Sequence, residues 1–212
     1  MSVEGERGRA FRGKFFRSLF RKERFRNYFD DDTAWEAFRR EAESWLGTPY
    51  RHLQRCKGRG ADCTLFIGQA LLDAGILTRL EYDYYPRDWH EHTGDEYVLE
   101  ASHRHMRDHL RPGLRMVSLA PGASLIRGDW LAFSTTERGV TNHCGLVWPC
   151  GEGGFRMLHA INGRGVCFAR LGDWWLRRLT RHFRIAGEAD IPQGMPPSPP
   201  SCRRAKEAGA WA

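Results

Sequence analysis

A chain of 212 residues is the length of one domain with tails, since a single hydrophobic core serves roughly 100 to 200 residues. A mean hydropathy of −0.58, with no run approaching the roughly 20 apolar residues that span a bilayer, excludes a transmembrane segment. Thirty-three Lys and Arg against 26 Asp and Glu leave a formal charge of +7, which favours anionic partners; no zinc-finger, RNA-binding or helix-turn-helix pattern accompanies it, so no specific nucleic acid is expected.

Residues 1–30 carry nine basic residues, with Phe11, Phe15, Phe16, Leu19 and Phe20 between them. This basic arm reads as a solvated segment or as an amphipathic helix for a membrane surface, nucleic acid or protein. Arg12, Lys14 and Arg17 interrupt its apolar run, so no secretory signal peptide is expected. The domain proper is placed at 31–188. Its first helix is expected from Thr33, capped by a Thr33–Glu36 box, with Trp35, Phe38, Ala42, Trp45 and Leu46 on one face and Gly47 as the left-handed stop. After a polar loop, Asp62 is positioned as an N-cap, which puts Cys63 in the first turn of a helix running to Gly75. A second box, Thr93 to Glu96, predicts a helix to about Leu110. Short strands follow at 114–119, 129–134, 143–148, 155–160, 166–169 and 181–185, separated by Gly, Pro or Asn turns. Helices first and strands afterwards imply an α+β domain with a mainly antiparallel sheet. The Pro-rich segment 189–212 is expected to be a disordered tail.

Six cysteines (Cys56, Cys63, Cys144, Cys150, Cys167 and Cys202) show no CxxC pair, which argues against a zinc ribbon or a dense disulfide scaffold. Cys63 stands apart by position. A helix N-terminus favours thiolate, and its free N–H groups hold an oxyanion. His143 opens an apolar strand and His159 closes the next strand candidate. In a hairpin the two imidazoles become neighbours, one a base and the other its orienter. Strand alternation turns Cys144 to the face opposite His143. His105 and His109 at helical spacing lack an HExxH partner, so neither a metal nor any other cofactor is expected.

Five segments, in order, resemble the NlpC/P60 family of papain-like cell-wall peptidases. They are Gly47-Thr48-Pro49-Tyr50, Asp62-Cys63-Thr64, Arg127-Gly128-Asp129-Trp130-Leu131-Ala132-Phe133, Asn142-His143-Cys144-Gly145-Leu146-Val147 and Met157-Leu158-His159-Ala160. The resemblance spans about residues 33–186 and implies a papain-like fold, with an antiparallel sheet packed against a helical part that carries the nucleophile. It also implies catalytic roles for Cys63, His143 and His159, an assisting hydroxyl at Tyr50, and peptide binding by Asp62 and Thr64. The implied activity is cleavage of peptidoglycan stem peptides between D-glutamate and a diamino acid. Tyr84-Tyr85-Pro86-Arg87-Asp88-Trp89 is most like members carried with phage tails and gene-transfer particles. The implied partners are peptidoglycan peptides and phage-tail or envelope proteins. The implied location is a phage-like particle delivered to the bacterial envelope, or otherwise the cytoplasm.

Two departures from the family pattern bear on access. Leu65 replaces a small Gly after the nucleophile motif, and an insertion near 76–110 either roofs the site or docks onto a partner. Two further readings stay open: a catalytically silent structural or wall-binding tail component, and an N-acyl amidase or transferase using the same nucleophile.

Overall fold

The computed structural model describes residues 25–193, apart from 121 and 152. Residues 1–24 of the basic arm and 194–212 of the Pro-rich segment, including Cys202, lie outside the described residues. The elements are helices α1 (Asp32–Glu43), α2 (Leu65–Asp73), α3 (Trp89–His92), α4 (Tyr97–His103) and α5 (Asp173–Leu176), with a π-helical turn at Arg104–Asp108. A small hairpin, β1 (Arg55–Cys56) and β2 (Gly60–Ala61), precedes α2. The main sheet comprises β3 (Leu114–Ser118), β4 (Trp130–Phe133), β5 (His143–Cys150), β6 (Gly154–Ile161), β7 (Gly165–Arg170) and β8 (Leu179–Gly187). Its order is β3-β8-β4-β5-β6-β7 and all its pairings are antiparallel. The α+β class is therefore as the sequence implied. No helix among the described residues is long and apolar enough to cross a membrane.

The two faces of the sheet are separated by the period-2 alternation of β4, β5 and β6. Trp130, Ala132, Cys144, Leu146, Trp148, Leu158 and Ala160 point toward α1 and α2 and join the main core. Leu131, Phe133, Val147 and Met157 form a second cluster on the opposite face, covered in part by Leu125, Trp175 and Leu179. Helix α1 docks through Trp35 and Phe38. The Trp35 ring lies 4.8 Å from that of Trp148, whose indole N–H donates to Glu43 at 3.1 Å.

Helix starts differ from the sequence expectation. Asp31, not Thr33, caps α1, accepting from Ala34 N at 2.9 Å, and Glu36 bonds Arg39 instead of reaching back. A carboxylate two residues earlier is the stronger acceptor for the free N–H groups. The Thr93–Glu96 box does not form either. Thr93 ends α3, and the Glu96 carboxylate accepts from Thr141 N at 3.0 Å, a long-range bond that local spacing cannot reveal. The helix consequently begins at Tyr97 and passes into the π turn before Leu110.

The segment from Ile76 to Leu110 folds back on α2. Leu80 packs so closely over Gly68 that a Cβ there would lie 2.6 Å from its Cδ1. Tyr85, Trp89, Val98, Leu99 and Met106 enter the main core. The Arg138 guanidinium donates to Glu91 O at 2.7 Å, so the segment is also tied to the loop that leads into His143.

Candidate active site

Three local structures bring the site together. Residues 47–50 are strapped between β7 and the small hairpin, with Gly47 N to Val166 O at 2.9 Å, Val166 N to Thr48 O at 2.8 Å and Ala61 N to Pro49 O at 3.0 Å. Gly47 has a φ of +80°, which a glycine adopts without strain. Gly165 must be small, because a Cβ would lie 2.2 Å from Thr48 O. This strap sets Tyr50 beside Ala61, two residues from Cys63.

The second structure is the turn into α2. Asp62 is 1% exposed and accepts three backbone N–H bonds, from Leu53 at 3.0 Å, Thr64 at 3.0 Å and Leu65 at 2.7 Å. It caps the helix as its sequence position suggested. Cys63 sits in the turn two residues before Leu65, slightly ahead of the expected first helical turn. Burial, and then the neighbouring Cys63, push Asp62 up to about 7 against the pull of its three N–H donors. Thr64 is equally buried, with its hydroxyl 3.8 Å from the Cys63 sulfur and 3.7 Å from that of Cys144.

The third is the β5–β6 pair, in register at Leu146 with Leu158. His143 and His159 project from the same face, offset along the ladder, and His143 Nε2 lies 2.9 Å from His159 Nδ1. Gly145 lies between them in the pattern. A Cβ there would meet Met157 Sδ at 2.7 Å and His159 Cβ at 3.1 Å. Gly145→Val is expected to displace His159 and slow any reaction that uses the pair by about 10- to 100-fold, as loss of an orienting partner does. Steady-state kinetics with circular dichroism would check that prediction; full activity in a folded variant would contradict it.

Burial, and then the neighbouring His143, drive His159 down to about 3, so at neutral pH it is uncharged; with its proton on Nε2, its Nδ1 accepts the Nε2–H of His143. His143 Nδ1 is then the ring nitrogen left for the thiol. The Cys63 thiol is held well below the ordinary cysteine range, first by hydrogen bonding with the Cys144 thiol and then, against the cost of burial, by the hydrogen bond and charge of His143. Cys63 is 5% exposed, so only one edge of the sulfur meets solvent.

Cys144 is the first residue the sequence reading passed over. Alternation does turn it away from His143, but that other face is the one on which α2 rests. Its thiol donates to Cys63 O at 3.2 Å, and burial beside Cys63 raises it well above the usual range, keeping it a neutral donor. Burial, followed by the neighbouring Cys63 and Asp62, also raises Tyr50, so its hydroxyl keeps its proton and remains a donor.

Tyr85 and Trp175 were also missed. Tyr85 belongs to the inserted segment. It is 7% exposed, and burial first, then the charges of Asp62, Cys63 and Tyr50, raise it. Its ring stacks on Tyr97 at 5.3 Å and its carbonyl meets His52 Nε2 at 2.8 Å. Between this segment and α2 lies a cavity of about 60 Å³ walled by Leu53, Thr64, Leu65, Tyr82, Tyr85 and Arg104. Leu65, where the resemblance expects glycine, lines this cavity opposite residues of the 76–110 segment. Trp175, on α5, packs over both imidazoles.

The remaining polar candidates lie elsewhere. The ring nitrogens of His103 and His105 are buried without partners, and His109 Nε2 lies 3.6 Å from Glu81. Among the described residues no group of three or more His, Cys, Asp or Glu side chains is arranged to hold a metal ion. Cys56, Cys63, Cys144, Cys150 and Cys167 are free thiols.

The buried histidines make stability pH-dependent. Burial lowers His105 to about 4 and His159 to about 3, so both take up protons more readily in the unfolded chain, near 6.5. Their contribution is full above about pH 6.5 and is lost as pH falls toward the folded values. Asp62, raised to about 7, works in the opposite sense over the same interval. Burial lowers His103 in the same way, so with these groups against one, unfolding free energy is expected to fall as pH drops from roughly 6.5 toward 4. Urea denaturation at several pH values measures the slope; a flat or rising profile toward acid would contradict it.

The molecule is therefore an α+β domain whose capped turn presents a thiol to a pair of hydrogen-bonded histidines. Among proteins of known structure it is similar to one from Staphylococcus aureus described as similar to lipoprotein, of the NLP/P60 family. That likeness has a TM-score of 0.48 and 18% sequence identity, and covers 78% of this chain and 45% of the other, so this chain spans less than half of that protein. No protein-family model matches the sequence, and no curated protein matches it.

Proposed function

We propose that this protein is a thiol hydrolase that cleaves amide bonds in peptidoglycan stem peptides, of the D-glutamyl-diamino acid endopeptidase type. The observation that carries the chemistry is the 2.9 Å bond between His143 Nε2 and His159 Nδ1, beside a thiol held low at a capped turn. A depressed thiol next to a base with its own orienting group is the general signature of nucleophilic acyl transfer.

In this reading the Cys63 thiolate attacks the carbonyl carbon of the scissile amide. The Cys63 N–H and the Tyr50 hydroxyl hold the oxyanion. His143 protonates the leaving amine, and the C–N bond breaks to leave a thioester. His143 then takes a proton from water, whose oxygen displaces the sulfur and releases the acid. His159 holds the imidazole, with Asp62 and Thr64 shaping the wall against which the peptide stem lies. The choice of substrate, and delivery to the bacterial envelope with a phage-like tail, rest on the five motif segments and on Tyr84 to Trp89. Digestion of purified muropeptides, read by mass spectrometry, tests the reading. New amino and carboxyl termini at the D-glutamyl bond are expected from the native chain and not from Cys63→Ala; equal products from both would overturn it.

A further inference from the structure

The acyl-transfer scheme leaves one contact of the histidine pair unused. Trp175 lies on α5, in the connection from β7 to β8, where Gly172 in extended conformation opens the short helix. Its ring stacks on His143 with centroids 5.2 Å apart and an interplanar angle of 30°. It meets His159 edge-on at 5.4 Å and 87°. Phe133 backs it at 5.0 Å and Trp174 at 4.7 Å, so the ring is fixed on two further sides. Among the described residues no other ring meets both imidazoles; Phe133 touches only His143, at 6.3 Å.

Three consequences follow from this placement. A stacked indole fixes the imidazole plane, which decides where the remaining nitrogen points. Its electron-rich face attracts a cation, and Trp is the strongest side chain for that interaction, so it favours the imidazolium member of a thiolate–imidazolium pair. Its edge over His159 keeps water from competing for the bond between the histidines. From this geometry we infer that Trp175 is a positioning residue for His143, setting the ring's orientation and stabilising the charged pair with Cys63. The inference rests on the proposed nucleophile and base, but not on the proposed substrate.

The test therefore reads the thiol directly. Alkylation of Cys63 by iodoacetamide is followed across pH in the full chain, with peptide mass spectrometry separating Cys63 from the other thiols. Trp175→Ala and Trp175→Leu are expected to raise the midpoint by about 0.4 to 1.5 pH units, the loss of one cation–π contact. Trp175→Phe, which keeps a stacked ring, is expected to show little of that shift. If muropeptides are cleaved, kcat falls about 10- to 100-fold in the Ala and Leu variants with KM little changed. Trp175→Leu preserves apolar volume and carries the comparison should the alanine variant not fold. An unchanged midpoint, an equal shift in Trp175→Phe, or a loss confined to KM would overturn the inference. A shifted midpoint in a protein that cleaves no muropeptide would leave it standing and remove only the substrate reading.

Discussion

Alanine at Cys63, at His143 or at both together is expected to reduce hydrolysis by nearly the same factor, about 10,000- to 1,000,000-fold. Residues that act as one unit are strongly non-additive, because removing either leaves the other with nothing to do. Without Cys63 there is no acyl-enzyme. Without His143 the thiol loses its hydrogen bond and its charge partner, two of the causes that hold it low, and the leaving amine loses its proton donor. The double variant should therefore be no worse than the poorer single variant. His143→Ala should also slow alkylation of Cys63 near neutral pH, a readout independent of substrate. Losses that multiply would mean that the two side chains work separately, contrary to the acyl-transfer scheme.

Asp129→Ala is expected to have the largest effect on stability, about 3 to 5 kcal/mol, the usual cost of stranding a buried charge. Asp129 is fully buried at the start of β4. It accepts from Arg184 Nε at 2.8 Å, from a second Arg184 nitrogen at 2.8 Å and from Ile126 N at 3.0 Å, and His182 Nε2 lies 2.8 Å away. Arg184 has one further anchor, Ser124 O at 2.8 Å. Removing the carboxylate leaves the buried Arg184 guanidinium without its counter-charge, held by Ser124 O, and the buried His182 imidazole without its carboxylate. Replacing the set with apolar residues of similar volume should cost much less, since buried pairs are often no better than good packing. Urea denaturation of Asp129→Ala against an Asp129→Leu, Arg184→Met double variant separates the two terms. A loss below about 1 kcal/mol in the single variant would show that the network contributes little. The Gly128-Asp129-Trp130 motif is thereby explained as architecture. Gly128, with φ +80° and no room for a Cβ against Phe29, makes the turn, and Asp129 locks it to β8.

Features legible in the sequence were those set by neighbours a few positions apart. The six main strands fall within a few residues of where branched and aromatic runs end at Gly, Pro or Asn turns. The Asp62 cap and the pairing of two histidine-bearing strands were likewise local signals, whereas the first helix ends at Glu43 with Ser44 as its C-cap, three residues before the left-handed Gly47 expected to stop it. Errors arose where a local signal met a stronger competitor. Thr33 lost to the Asp31 carboxylate two residues earlier, and Glu96 was drawn away by the Thr141 N–H forty-five residues on.

Order and type of residue by themselves determined the α+β class, the position of Cys63 at a helix entrance and the nearness of His143 and His159 in a hairpin. Each follows from a helical or strand period, and those periods are properties of the chain. Only the tertiary structure decided what lies against that group. It rested α2 on the sheet face that carries Cys144, folded Tyr85 of the inserted segment over the Cys63 side, and brought Trp175 from the β7–β8 connection across both imidazoles. These contacts join segments far apart in sequence through close packing, and no periodicity within either segment encodes which partner the other will meet.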